Sequence, residues 1–143
     1  MKKFISVLSM IFLFSCSTQQ VSKELSLNSV NKILSIEEYD YAYYIKAFNQ
    51  DTKKQLNIIS YKQVYFDKYK IQKPINNSQD GLKTISKNNS YNFNLTEMRF
   101  NVSNMEQLGA YVIIENDTIW KGKPTVENRF YESKNSLGLI IRQ

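Results

Sequence analysis

From Tyr39 onward the apolar positions fall into short β-branched and aromatic runs separated by clusters of Asn, Asp, Gly and Lys, the texture of strands joined by turns. Tyr41-Ala42-Tyr43-Tyr44-Ile45-Lys46-Ala47-Phe48 is apolar on both faces and predicts a strand. Asn49-Gln50-Asp51-Thr52-Lys53-Lys54 is a turn signal, and Leu56–Tyr61 reads as the returning strand of an antiparallel hairpin. Val64–Ile71 reads as a third strand, to which Lys68 and Lys70 give a basic face. Pro74 followed by Asn76-Asn77-Ser78-Gln79-Asp80-Gly81 marks a long loop.

Further on, Tyr91-Asn92-Phe93-Asn94-Leu95-Thr96 alternates cleanly and predicts one strand with a buried and a wet face. Met105–Leu108 predicts a helical turn stopped by Gly109. Tyr111–Ile114, the turn Glu115-Asn116-Asp117 and Thr118–Trp120 predict a second hairpin, and Val126–Tyr131 and Leu137–Ile141 supply the last two segments. Six to seven short strands joined mostly by tight turns predict a mainly β fold, either a small antiparallel β-sandwich or a partly open OB-like barrel. At 143 residues the chain has room for one such domain.

The N-terminus has a different texture. Met1-Lys2-Lys3 precedes an apolar run from Phe4 to Phe14 that only Ser6 and Ser9 interrupt, and Ser15 follows. A basic start, a short apolar stretch and a small residue at its end form a secretory signal. The run has 11 residues, against the roughly 20 that a spanning helix needs. Leu13-Phe14-Ser15-Cys16 resembles the lipobox of bacterial lipoproteins. The resemblance implies cleavage before Cys16, a diacylglycerol thioether on its sulfur and attachment to the lipid bilayer. Ser17 stands where enterobacterial lipoproteins retained in the inner membrane carry Asp, which by resemblance favours the outer membrane. Residues 1–15 are thus the signal peptide and 16–35 the lipidated N-terminus and its polar, Ser-rich tether. Val30, Ile33 and Leu34 have helical spacing, which allows a short turn at the end of an irregular lead-in, and residues 36–143 form the β-rich domain.

Ile58-Ile59-Ser60-Tyr61-Lys62, Tyr91–Leu95 and the ending Tyr131–Ile141 resemble landmarks of small uncharacterised lipoproteins of Bacteroidetes-type bacteria. That resemblance implies a cell-envelope location and an OB-like β architecture, and it brings no activity with it. Asp117-Thr118-Ile119 resembles the periplasmic O-glycosylation site of the same bacteria, with Thr118 as the residue that would carry the sugar. Turn chemistry accounts for the same three residues.

Composition then limits the chemistry. The chain has no His, so a His-based triad, a His general base and a His metal site are impossible, and its single Cys allows no intrachain disulfide. Glu37, Glu38 and Asp40 cluster ahead of the first strong strand, but adjacent Glu37 and Glu38 point apart on a strand. Glycoside hydrolysis needs two carboxyls facing one another about 5 to 9.5 Å apart. Ser133 and Lys134 are adjacent without a supporting element, and the four glycines are isolated, which excludes a Gly-rich phosphate loop. No catalytic residue, metal or cofactor is therefore expected.

Tyr61–Lys73 interleaves aromatics with Lys62, Lys68, Lys70 and Lys73. On an OB-like surface Tyr61, Lys62, Tyr65, Lys68, Tyr69 and Lys70 form a candidate binding patch in which rings stack and ammoniums attract anionic groups. The competing reading is a strand whose tyrosines fill the core and whose lysines guard an edge. An envelope location makes an envelope protein or a polysaccharide the expected partner, and not nucleic acid. Removing residues 1–15 takes Lys2 and Lys3 with it and lowers the formal charge from +6 to +4. The sequence thus points to a lipid-anchored, non-catalytic binding or structural accessory. A small inhibitor or immunity lipoprotein that occludes an enzyme or toxin is the alternative.

Overall fold

The computed structural model describes residues 30–75, 80–98, 110–122 and 129–143. Its framework is an antiparallel meander of β1 (Val30–Glu38), β2 (Ala42–Asn49) and β3 (Gln55–Tyr61). The turn between β2 and β3 is set by Asn49, whose Oδ1 accepts from the N–H groups of Asp51 at 3.1 Å and Thr52 at 2.8 Å. Its amide in turn donates to the buried Asn31 Oδ1 at 3.0 Å, which ties β1 into the same turn.

β1 begins at Val30, so residues 30–35 are strand and not the end of a tether or an irregular lead-in. The helical spacing of Val30, Ile33 and Leu34 is coincidental: Asn31 and Ile33 are buried while Val30, Lys32 and Leu34 are exposed, an alternation of two. A register shift between Ile33 and Ser35 then restores Ile36 to the side on which Ile33 packs.

The meander is extended into a six-stranded sheet of order β5-β1-β2-β3-β9-β6, with β5 at Ser90–Asn92, β6 at Leu95–Glu97 and β9 at Phe130–Ser133. β9 runs parallel to β3, so the sheet is mixed where the sequence predicted antiparallel pairing throughout. β5 and β6 lie on opposite edges of this sheet yet are separated in sequence only by Phe93 and Asn94. Two residues reach about 7 to 10 Å, so the edges must approach one another and the sheet curls into a half-barrel. The alternating run Tyr91–Thr96 therefore serves both edges in turn. Its inward residues Tyr91, Phe93 and Leu95 are all buried, with Ile33, Ile45, Ala47, Leu56, Ile58 and Tyr131, in the inner core.

A three-stranded sheet of order β10-β11-β4 packs on this core, with β4 at Leu82–Thr84, β10 at Ser136–Leu137 and β11 at Ile140–Arg142. It contributes Ile141 of β11, with Ile85 just beyond β4. It is pinned where Ser60 Oγ meets Ser136 Oγ and the Gly138 carbonyl, both at 2.6 Å.

The outer face of the meander carries a second core, covered by the hairpin of β7 (Ala110–Ile114) and β8 (Asp117–Gly122). A register shift between Val112 and Ile113 lets both Ile119 and Trp120 pack toward Ala42, Tyr44, Ile59 and Phe130. Met105–Leu108 and Gly109 lie outside the described residues, as do the signal peptide, Cys16 and the tether up to residue 29.

Val64–Ile71 is not a strand. Gln63–Tyr69 form a helix, α1, that leaves the end of β3. Tyr61, Tyr65 and Tyr69 recur every fourth residue, and with Phe66 they make one helical side that strand propensity concealed. Lys70 closes α1 in the left-handed region at φ 54°, with its N–H on the Asp67 carbonyl and the Ile71 N–H on the Phe66 carbonyl. That double bond is a Schellman ending, in which Gly is the usual residue.

Candidate functional site

α1 is held by Phe66, which is buried and meets Tyr65 and Tyr61 edge-on with ring centroids 5.7 Å and 6.2 Å away. Around that anchor three tyrosines form a ladder. Tyr61 and Tyr65 stack at 4.1 Å, and Tyr65 and Tyr69 approach at 5.0 Å with a tilt of 54°. Exposure rises along the ladder, from half-buried Tyr61 and Tyr65 to Tyr69 at 45%. The inner end packs on the second core, and burial pushes the Tyr61 hydroxyl well above the usual tyrosine range, with Tyr65 adding to the shift.

The lysines divide between two locations. Lys68 Nζ lies 4.7 Å from the Tyr41 ring centroid and 5.4 Å from that of Tyr69, and it donates to Glu115 at 2.5 Å. That hydrogen bond raises the Lys68 pKa above its ordinary value. Lys70 is exposed at the helix end, where a cation also suits the helix dipole. Lys62 does not belong to the patch. Its ammonium turns to Glu38 at 2.6 Å and lies 4.7 Å from the Tyr43 ring, on the rim beside the inner core. Hydrogen bonds from Lys62, and then from Tyr43, hold the Glu38 carboxyl below the usual carboxylate range. The patch of the sequence is thus Tyr61, Tyr65, Lys68, Tyr69 and Lys70, with Lys62 removed by one residue of strand alternation.

The structure adds the β7–β8 hairpin to the site: the sequence predicted the hairpin but not its place beside α1. Glu115 and Asn116 form its tip, and the hairpin is tied at three points, once to α1 and twice to the link between β1 and β2. These are Lys68 on Glu115, the Asp40 N–H on the Asp117 carboxylate at 3.1 Å, and the Tyr39 hydroxyl on the Ile119 carbonyl at 3.4 Å. On its outward face Tyr111 pairs with Lys121, whose ammonium lies 5.4 Å from the ring centroid. Alternation in Tyr111-Val112-Ile113-Ile114 carried that signal, since Val112 and Ile114 are buried and Tyr111 and Ile113 are not. Thr118 is exposed on β8 opposite Ile113, but the residues on each side of it are in structural use, Asp117 by Asp40 and Ile119 by the second core.

Among the described residues eight large hydrophobic side chains are exposed, and five of them belong to α1, its flank and β7: Val64 48%, Tyr69 45%, Ile71 50%, Tyr111 41% and Ile113 58%. The Lys68–Glu115 bond joins the two elements that carry them, and exposed apolar surface gathered on neighbouring elements marks a candidate interaction surface. α1 departs from Tyr61, which pairs with Ala42 at one end of β2. Val30 is at the other end, where its carbonyl accepts from Gln50 at 3.2 Å. The 8 residues of β2 separate the two poles by about 26 Å.

The other candidates do not converge. Glu37 faces Lys46 at 3.4 Å while Glu38 faces Lys62, so the neighbouring carboxylates are drawn apart. Ser133 is buried and bonds to Asn135, and Lys134 pairs with Glu132 at 2.8 Å. Among the described residues no group of three Asp, Glu or Cys side chains could hold a metal ion. Comparison with protein families, curated proteins and solved structures returned no match.

Proposed function

We propose that this chain is a lipid-anchored protein of the bacterial cell envelope, attached through Cys16, whose β domain is a non-catalytic binding module. The observation that carries the binding role is that α1, its flank and the β7–β8 hairpin bear five of the eight exposed large hydrophobic side chains of the described residues, two of them tyrosines beside ammoniums. A domain with no further task would gain nothing from leaving them in water. The sequence supports the anchor: a short apolar segment followed by the only Cys of the chain in a lipobox-like context. With Val30 and α1 at opposite poles, a chain held from its N-terminus carries the binding surface on its far side.

Two measurements test the reading separately. Labelled fatty acid is incorporated into the wild-type chain, which partitions into the detergent phase, and Cys16→Ser abolishes both; retention of label by the variant refutes the anchor. The O-glycosylation at Thr118 is part of the same envelope proposal. An intact mass that is unchanged by Thr118→Ala beyond the side-chain difference removes it.

A further inference from the structure

The end of the sheet at which β1 begins is basic. Val30, Lys32 and Leu34 are the exposed alternates of β1, so two aliphatic side chains flank an ammonium on one face of the strand. Two turns adjoin this short stretch. In the β2–β3 turn the Gln50 N–H donates to the Val30 carbonyl at 3.2 Å and the Asn49 N–H to the Lys54 carbonyl at 2.9 Å, while Asn49 itself pairs with Asn31. On the other side of β1 the Ile33 N–H donates to the Asn89 carbonyl and the Asn88 N–H to the Ile33 carbonyl, both at 2.9 Å, which brings Lys87 beside the strand. Val30 to Ile33 is about 10 Å of chain and each turn stands within two strand spacings of it, so the backbones of Lys32, Lys53, Lys54 and Lys87 lie within about 20 Å of one another.

All four lysines are exposed, and none is in an ion pair among the described residues. The one carboxylate on the same stretch and turns is Asp51. Glu37, the next along β1, is held by Lys46 at 3.4 Å. The adjoining β4 and β11 bring Lys83 and Arg142 against Asp80 and the chain end at Gln143, which leaves the balance positive. Asp40 and Asp117, which are in no ion pair among the described residues, meet at the opposite end of β2, about 26 Å away. Lys23 and Glu24 are the only charged residues between Cys16 and Val30, and they cancel. Cations spread over this distance with aliphatic side chains among them match a surface of many anions above an apolar layer, which is the face of an anionic bilayer.

We infer that the Val30 end of the domain docks on anionic lipid headgroups, with Lys32, Lys53, Lys54 and Lys87 over the phosphates and Val30 and Leu34 at the acyl boundary. This docking rests on the proposed anchor and adds to it a lipid class and an orientation. Cys16 to Ser29 is 14 residues, a reach of at most about 50 Å, and the segment enters the domain at Val30, within the basic end itself. Attachment at that point makes a weak electrostatic attraction intramolecular and so effective. The docked domain carries α1, at the other end of β2, away from the bilayer.

The test uses the full chain reconstituted into phosphatidylcholine vesicles with and without phosphatidylglycerol. Phosphatidylglycerol should slow amide exchange in residues 50–54 and 86–89, and trypsin cleavage after Lys53, Lys54 and Lys87, by about ten-fold. Exchange in Gln63–Tyr69 should not change, and high salt should remove the protection. A lysine near an anionic surface strengthens attachment about five-fold. Lys53→Gln combined with Lys54→Gln should therefore weaken docking about 25-fold and abolish the protection. Lys70→Gln combined with Lys121→Gln removes the same charge elsewhere and should leave the protection within about two-fold. All four positions are exposed, and unchanged Trp120 fluorescence reports an intact fold. Equal exchange on both kinds of vesicle, protection of Gln63–Tyr69 in place of the turns, or equal loss in the two double variants overturns the docking. Protection produced by polygalacturonate without vesicles, or by raising the protein concentration on phosphatidylcholine alone, assigns this end to a soluble anion or to a second copy and overturns it as well. The anchor fails separately: a chain without labelled fatty acid that phosphatidylglycerol vesicles still retain through Lys53 and Lys54 refutes the anchor alone. A labelled chain whose turns stay open refutes the docking alone.

Discussion

Lys68 donates a 2.5 Å hydrogen bond to Glu115 across 47 residues of sequence, and Glu115 meets it from a left-handed backbone at φ 58°. The first residue of a two-residue hairpin turn is a place for Gly or Asn, so a Glu there sacrifices turn propensity. What it gains is the contact that fastens the hairpin tip to α1. Glu115→Gly should relieve roughly 1 kcal/mol of backbone strain while releasing Lys68. The melting temperature then holds or rises, and amide exchange in Gln63–Tyr69 becomes faster. A lowered melting temperature with unchanged exchange in α1 contradicts this account of the turn.

Lys70 presents the same conflict at the end of α1. Its φ of 54° costs a side-chain-bearing residue about 1 kcal/mol relative to Gly. Lys70→Gly should therefore stabilise the fold by about that amount, measured by urea denaturation. A lowered urea midpoint in the variant contradicts this account of the helix end.

These two residues also mark where sequence reading stopped. β2, β3 and both hairpins were legible because alternation and turn residues are local, and Tyr91, Phe93 and Leu95 are buried together as their spacing requires, whereas β1 was hidden by its polar residues and β4 by its shortness. Which edge each half of that run joins was not legible, because β5 and β6 are placed by partners dozens of residues away. α1 was misread because Tyr, Phe and Val favour strands in isolation, and the four-residue spacing of its tyrosines was outweighed. Lys62 was counted into the patch because neighbours in sequence look like neighbours in space. On an extended chain they face opposite ways. Tyr111 and Lys121 were missed as a couple because only the register of the hairpin brings them opposite.

Phe93, 1% exposed between β5 and β6, fills the inner core where the two sheet edges converge. Phe93→Ala should cost about 3–5 kcal/mol and lower the cooperativity of urea unfolding. Asn94→Ala next to it, at an exposed position, should stay within about 0.5 kcal/mol. Similar losses at both sites contradict the barrel closure.

Gly122 is required by Trp120. A Cβ at 122 would come within 2.7 Å of the indole Cη2, and the ring cannot retreat freely because it meets Phe130 edge-on at 5.3 Å. Gly122→Ala should displace the indole and cost about 1–3 kcal/mol. Trp120 is the only tryptophan, so the displacement is read directly as a red shift of intrinsic emission. An unshifted spectrum with unchanged stability shows that the ring does not rest on this backbone.

The tyrosines make the fold sensitive to alkali. Burial pushes the Tyr44 hydroxyl from 10.0 up to about 12, and its proton is held against Asn57 Oδ1 at 2.9 Å. Burial raises Tyr61 further, and Tyr39, Tyr43 and Tyr131 move in the same direction, each with desolvation as the largest cause. A hydroxyl whose folded pKa is raised favours the folded state fully below its unfolded value. That contribution is lost as pH rises through the folded value, because the unfolded chain releases the proton first. Stability should therefore be insensitive to these groups below pH 10 and fall between about pH 10 and 12. Phenolate absorbance checks it. In the native protein Tyr44 and Tyr61 ionise only at higher pH than in urea, where all ten ionise together near pH 10. Tyr44→Phe removes one proton from the late group and narrows the alkaline loss of stability. A single native transition near pH 10, superimposable on the one in urea, is incompatible with the buried positions of Tyr44 and Tyr61.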